Sequence, residues 1–221
     1  MNEKKLAGEK AASYVQDGMT VGLGTGSTVY WTILEIANMV KSGMSIKGIP
    51  TSKTTETLAK ENGIPLISLE DVTSIDLTID GADELNEDLT LIKGGGGALL
   101  REKIIAYHST HMIVVADSSK YVQEIGKFPL PIEIAPFGST KTIDTLKELG
   151  CQAAIRKEND SLFVTDNGNY IVDCSFGKIH FPSTLHDSIN HIPGVVDNGL
   201  FIGYAQKALI GQGKSITYIE K

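Results

Sequence analysis

The sequence predicts an α/β fold: a mostly parallel sheet with helices on both faces, plus a smaller inserted α+β domain. Three observations carry this. Short apolar strands alternate with helical segments over roughly the first 120 residues, the pattern of βαβ units. Glycine or turn residues follow the strands, where a parallel sheet opens its ligand-binding edge. Beyond residue 125 the pattern changes, and five of the seven prolines lie there. The expected division is residues 1–125 plus about 200–221 for the α/β domain and 126–199 for the α+β domain.

In chain order, residues 4–16 have helical composition. Residues 20–24 read as a short buried strand ending in a glycine turn. Residues 29–40 read as a helix, with Ile33, Ile36, Ala37 and Val40 on one stripe. Residues 46–49 form a strand, and 54–62 a helix stopped by Gly63. Strands follow at 65–69, 77–79, 89–92 and 112–116, with a helix at 98–107. Residues 128–136 hold three prolines, which predicts an extended crossover or edge strand, since proline cannot donate to a central ladder. A helix covers 139–149. Residues 162–165 and 170–173, joined by Asp166-Asn167-Gly168-Asn169, predict a hairpin. A helix covers 183–192, and a strand at 214–219 ends the chain.

Composition is that of an ordinary globular chain: 41% hydrophobic and 21% charged. The formal net charge of −7 and the lack of a basic tail exclude broad attraction to nucleic acid. No apolar run reaches the ~18 residues of a membrane span, and residues 1–6 have no apolar signal core. Cys151 and Cys174 lack CxxC spacing. They read as two buried hydrophobes in a reducing cytosol, with a disulfide as the alternative.

Gly22-Leu23-Gly24-Thr25-Gly26-Ser27-Thr28 sits between a strand and a helix. Free N–H groups at a helix start bind anions, and Ser27 and Thr28 add hydroxyls. The readings are a phosphate pocket, a dinucleotide site or a structural turn. The dinucleotide fingerprint would need glycine at Ser27 and an acid after the second strand. That strand instead runs into Thr51-Ser52-Lys53-Thr54-Thr55, a hydroxyl-rich loop on the same sheet edge.

Asp80-Gly81-Ala82-Asp83-Glu84 follows the next strand. It can be a helix cap or solvated loop, or carboxylates that move protons and hold hydroxyls. Then comes Lys93-Gly94-Gly95-Gly96-Gly97. Four glycines cost folding entropy, and close approach of backbone to a ligand accounts for them better than a linker does. Glu102 lies on a helix that is apolar nearly all round. A carboxylate there has a raised pKa unless paired, as a general base for carbon acids requires. Simple ion pairing with a basic neighbour is the alternative. His108 and His111 have ligand-like spacing but no third ligand, so no metal is expected.

Together these motifs resemble the type A ribose-5-phosphate isomerases. The matches are Gly24-Thr25-Gly26-Ser27-Thr28, Asp80-Gly81-Ala82-Asp83-Glu84, Lys93-Gly94-Gly95-Gly96-Gly97-Ala98-Leu99 and Arg101-Glu102-Lys103. They continue in Ala116-Asp117-Ser118-Ser119-Lys120, Gly126-Lys127-Phe128-Pro129-Leu130-Pro131, Val164-Thr165-Asp166-Asn167-Gly168-Asn169 and Ile192-Pro193-Gly194-Val195-Val196. The resemblance covers nearly the whole chain. Gly97 is alanine in some family members.

The resemblance implies interconversion of ribose 5-phosphate and ribulose 5-phosphate in the non-oxidative pentose phosphate pathway, without metal or organic cofactor. It makes Glu102 the base that carries a proton between C2 and C1 through a cis-enediolate. Asp80, Asp83 and Lys93 match further catalytic positions. Thr25, Gly26, Ser27 and Thr28 would hold the phosphate with Lys120, and Lys4 aligns with another phosphate-contacting lysine. Asp80, Gly81, Ala82, Asp83, Lys93, Gly94, Gly95 and Gly96 would line the sugar. The implied setting is a cytoplasmic homodimer or tetramer whose partner is a small sugar phosphate, with no nucleic acid or membrane. The runner-up is a sugar-phosphate-binding regulatory protein, which would need the phosphate pocket but not Glu102, and would usually carry a DNA-reading module for which the chain has no spare length.

Overall fold

The computed structural model describes residues 2–221; Met1, the first residue of the segment read above for a signal sequence, lies outside them. In chain order the elements are α1 (Glu3–Ala12), β1 (Thr20–Leu23), α2 (Val29–Lys41), β2 (Lys47–Pro50), α3 (Lys53–Glu61), β3 (Ile75–Gly81), β4 (Glu84–Leu85), β5 (Leu91–Ile92), α4 (Leu99–Tyr107) and β6 (Ser109–Asp117). There follow β7 (Leu130–Ile134), α5 (Ser139–Glu148), β8 (Gln152–Ile155), β9 (Lys157–Glu158), β10 (Ser161–Leu162), β11 (Tyr170–Ser175), α6 (Pro182–Asn190), β12 (Val195–Asn198), β13 (Leu200–Phe201), β14 (Lys207–Gln212) and β15 (Ser215–Glu220). No helix among the described residues is long and apolar enough to cross a membrane.

The chain forms two compact units. The first holds the chain up to Ala82, with Arg101–Tyr121 and Gly203–Lys221. Its six-stranded sheet has the order β15-β14-β6-β3-β1-β2. Every pairing is parallel except β14 with β15. Alternation along β1 shows the two covered faces. Val21 and Leu23 enter a core shared with Ala7 and Ala11 of α1 and with Ile33 and Ile36 of α2. Gly22 faces the other way, where a Cβ would meet Thr78 and Ile105 of α4. The buried face of α1 is Ala7, Gly8, Ala11 and Ala12, and these small residues let its backbone lie close. A Cβ at Gly8 would stand 2.7 Å from the Thr28 carbonyl, and one at Gly211 would stand 2.1 Å from the Glu3 carbonyl.

The second unit comprises Asp83–Leu100 and Val122–Ile202. Its four-stranded antiparallel sheet has the order β12-β7-β11-β8, beside a three-stranded sheet β13-β5-β4 and the hairpin β9–β10. Residues 83–100 fall here rather than with the α/β sheet as the sequence suggested. The reason is pairing: β5 joins β4 and β13, so this segment builds its own small sheet. Ile132, Ile134, Val172, Ile189 and Leu200 are among the residues of this unit's core, which also takes up Cys151 and Cys174. Both thiols are free. Burial pushes the Cys151 and Cys174 thiols above their ordinary range, so they behave as small hydrophobes.

Several elements differ from expectation for local reasons. Residues 65–69 make one bridge, Leu66 to Gly48, before Ser68 caps a short 3-10 turn. The strand expected at 89–92 shrinks to β5 because Leu89 has φ 52° and Asn86 gathers the Leu89 and Thr90 N–H groups into a turn. β7 is interior, not an edge. The Pro131 carbonyl accepts the Gly199 N–H at 2.8 Å, so its missing N–H faces the side where β12 has already ended and no ladder bond is lost. Leu162 pairs back with Lys157 across Asn159 and Asp160, both at positive φ, the signature of a type I′ turn. The expected hairpin across 166–169 is therefore reduced to the Val164–Tyr170 bridge. Strands β4, β8, β12, β13 and β14 carried no separate signal in the sequence.

Candidate active site

In the first unit, the turn after β1 is held by hydroxyls. Thr25 Oγ1 lies 2.7 Å from Thr51 Oγ1, 2.8 Å from Ser52 Oγ and 3.1 Å from Thr55 Oγ1. Thr51 and Thr55 in turn donate to the Leu23 and Gly24 carbonyls at 3.1 and 2.8 Å. The hydroxyl-rich segment therefore braces the glycine turn from below. Thr51, Ser52 and Thr55 are buried, so their part is structural. Gly26 takes φ 123°, which only glycine adopts readily, and it stands exposed with Ser27, while Thr28 is buried. α2 starts here with no side-chain cap and no acid in its first turn. The Tyr30 and Trp31 N–H groups bond the Gly26 and Thr28 carbonyls, so it is the N–H groups before them and the helix dipole that favour an anion at this place.

Lys4 reaches the same turn. Its Nζ lies 2.9 Å from Ser27 Oγ and 3.9 Å from Asp117 Oδ2. Glu3 fixes α1 for this. It accepts the Ser118 N–H and Oγ–H at 3.1 and 2.7 Å and the Gly213 N–H at 2.8 Å. Those bonds, the Gly213 one foremost, hold the Glu3 carboxyl below its ordinary range. Lys120 closes the short turn Ser118–Lys120, which Asp117 caps through the Ser119 N–H.

Asp80, next to last in β3, is fully buried. Its Oδ1 accepts the Thr25 N–H at 3.0 Å and the Gly81 N–H at 2.7 Å. A Cβ at Gly24 would lie 2.2 Å from that oxygen, so glycine at 24 is what admits the carboxylate. Gly81 and Ala82 follow, half-buried. Glu102 sits in the first turn of α4 and is 4% exposed, with Lys103 at 6%. The helix is not buried all round, however: Ile104 and Tyr107 are 40% and 74% exposed. Glu102 and Lys103 share the buried side with Leu99, Ile105 and Ala106. Both His108 and His111 are exposed.

In the second unit, Asp83 Oδ2 accepts the Gly95 N–H at 2.7 Å. A Cβ at Gly95 would meet that carboxylate at 2.5 Å. Lys93 is 2% exposed, its Nζ 5.4 Å from the Phe201 ring centroid and its N–H donated to Gly199 at 2.9 Å. The Gly94 and Gly95 carbonyls both accept from Arg156 Nη1, at 2.9 and 3.0 Å. The third acid of the motif, Glu84, has a different task. It is buried and accepts the Gly126 and Phe128 N–H groups at 2.6 and 2.7 Å, tying residues 126–128 to β4. Arg156 and the bracing role of Thr51, Ser52 and Thr55 were not found from sequence. The hydroxyl cluster had a compositional signal; Arg156, one of two adjacent basic residues after β8, had none.

The model of the family "ribose 5-phosphate isomerase A (phosphoriboisomerase A)" matches residues 47–215. A ribose-5-phosphate isomerase A of Bacillus mycoides is 55% identical over 98% of both chains. One of Parvibaculum lavamentivorans is 48% identical over 99% of this chain and 98% of its own. Among solved structures, ribose 5-phosphate isomerase A of Methanocaldococcus jannaschii superposes with TM-score 0.95 at 40% identity, covering 100% of this chain and 99% of its own. A D-ribose-5-phosphate isomerase in complex with phospho-erythronic acid gives TM-score 0.97 at 39% identity over the whole of both chains. The chain belongs to the ribose-5-phosphate isomerase A family.

Proposed function

We propose that this chain interconverts D-ribose 5-phosphate and D-ribulose 5-phosphate, in the non-oxidative pentose phosphate pathway, through a cis-enediolate. The observation that carries the reading is Glu102: a carboxylate 4% exposed in the first turn of α4, at the position the family resemblance gives to the base. In the forward direction its carboxylate takes the proton from C2 of the open-chain aldose. The C2–H electrons form the C1–C2 double bond, and the aldehyde oxygen becomes an oxyanion. The same carboxyl returns the proton to C1 while the O2 proton passes to O1, leaving a carbonyl at C2.

The other assignments follow residue by residue. The Lys93 ammonium and the Gly94 and Gly96 N–H groups would neutralise the oxyanion; the Gly95 N–H is already held by Asp83. Asp80 and Asp83 would hold sugar hydroxyls and assist ring opening. The uncapped start of α2, with Gly26, Ser27, Thr28 and Lys4, would take the phosphate, with Lys120 as a further positive group. Thr25 would act through the turn it braces. Phospho-erythronic acid, found with one relative, fits this scheme, since its carboxylate imitates an enediolate's paired oxygens. Homodimer or tetramer assembly in the cytoplasm belongs to the same proposal.

The test is direct. Purified protein in EDTA, with no added cofactor, is expected to convert either pentose phosphate into the other. Activity that appears only with added metal, or binding without conversion, would contradict it. Binding without conversion is what a sugar-phosphate regulator would show.

A further inference from the structure

We propose that Arg156 is a positioning residue for the reaction: its guanidinium turns the peptide planes of the tetraglycine loop so that the Gly95 and Gly96 N–H groups face away from it, towards Asp83 and the reacting sugar. The inference rests on the isomerase reading above for what the loop does, and on the second unit alone for its geometry.

Arg156 follows β8, and its own N–H bonds the Ile171 carbonyl of β11 at 2.8 Å. Nε donates to Asp173 Oδ2 at 2.9 Å and Nη2 to Asp173 Oδ1. This bidentate pair fixes the plane of the fork. The remaining arm, Nη1, reaches the Gly94 and Gly95 carbonyls at 2.9 and 3.0 Å. Phe163 lies across the group, its ring centroid 5.7 Å from Cζ. Arg156 and Asp173 side chains are only 15% and 28% exposed, so water competes weakly for these bonds.

In a trans peptide the C=O of one residue and the N–H of the next point in opposite directions. Holding the Gly94 carbonyl therefore aims the Gly95 N–H away from Arg156, and Asp83 Oδ2 receives it at 2.7 Å. Holding the Gly95 carbonyl aims the Gly96 N–H likewise, from a residue exposed at the loop surface. Glycines have no Cβ to restrict them; the loop's own bond from the Gly97 N–H to the Gly94 carbonyl, 2.9 Å, ties its ends, and an outside anchor keeps the planes between them pre-organised. Arg156 supplies one to two successive planes. Lysine has a single point charge and cannot make both the bidentate pair and the two carbonyl bonds.

The experiment compares Arg156→Gly and Arg156→Lys with the wild type in steady-state kinetics and thermal melting, and follows the glycine amides by NMR. For Arg156→Gly the expected result is a fall in kcat of about tenfold to a hundredfold, the range for misplaced groups, with KM for ribose 5-phosphate nearly unchanged. Added methylguanidinium should restore part of kcat. Arg156→Lys should melt near the wild type yet show the same kcat loss. The Gly95 amide proton, shifted downfield by a carboxylate acceptor, should move upfield in both variants.

Normal kcat in Arg156→Lys would overturn the proposal. So would losses shared equally by kcat and KM with no rescue, which would make Arg156 merely structural. A wild-type chain without isomerase activity would overturn the reading of the previous subsection instead. The Gly95 amide would still decide the positioning role, because it needs no turnover.

Discussion

Lys4 owes its place to the residue beside it. Glu3 is anchored to Ser118 and Gly213, and the next residue then meets Ser27 at the open start of α2. If this ammonium holds the phosphate, Lys4→Gln should raise KM for ribose 5-phosphate about tenfold at low salt, the scale of one charge-assisted bond, with kcat little changed. Steady-state kinetics checks it, and the difference should shrink as salt rises; an unchanged KM would remove Lys4 from the phosphate site. Residue identities at the candidate site were largely legible in the sequence, but residue tasks were not. Asp80, Asp83 and Glu84 stand in one motif, yet they hold the β1 turn, the Gly95 amide and residues 126–128 respectively. Nothing in the residue types separates these tasks, because they depend on which side of β3 and β4 each carboxylate leaves. Arg156 was invisible for a related reason: its partners are 17 and about 60 residues away in the chain.

Elements were legible where their pattern was local. α2 appeared through its apolar stripe, and β1 through its glycine turn. β7 was misplaced because Pro131 suggests an edge, and only the end of β12 explains how an interior strand tolerates it. The end of the glycine loop offers a test of packing between elements. Gly97 takes φ 75°, and a Cβ there would lie 2.4 Å from the Phe163 ring. Gly97→Ala should therefore destabilise the protein by about 1–3 kcal/mol, the cost of overpacking. Phe163→Val should relieve the clash, so the double variant should lose clearly less than the sum of the two single losses. Urea unfolding of all four proteins measures this, and simple additivity would contradict the packing described.

At the scale of the molecule, the α/β class followed from alternating strands and helices, whereas the grouping of residues 83–100 did not. β4 pairs only with the neighbouring β5, and β5 completes its sheet with the distant β13. α1 makes a similar long-range tie through Glu3, whose partners lie 115 and 210 residues away. Because the Gly213 and Ser118 bonds hold the Glu3 carboxyl below the ordinary carboxylate range, its stabilisation is complete near neutrality and is lost as pH falls through the lowered folded value. The stability difference between wild type and Glu3→Gln should thus be constant near neutrality and vanish in acid. Denaturant midpoints across pH would show it, and a difference that grew in acid would reverse the assigned sign.

Glu102, on the proposed reading, moves the proton between C2 and C1. The most direct measurement is turnover of Glu102→Gln in EDTA at saturating ribose 5-phosphate, alongside its affinity for the substrate. The expected result is a loss of kcat of at least about a hundredfold, the lower end for general base catalysis, with binding retained. Near-normal turnover in that variant would contradict it.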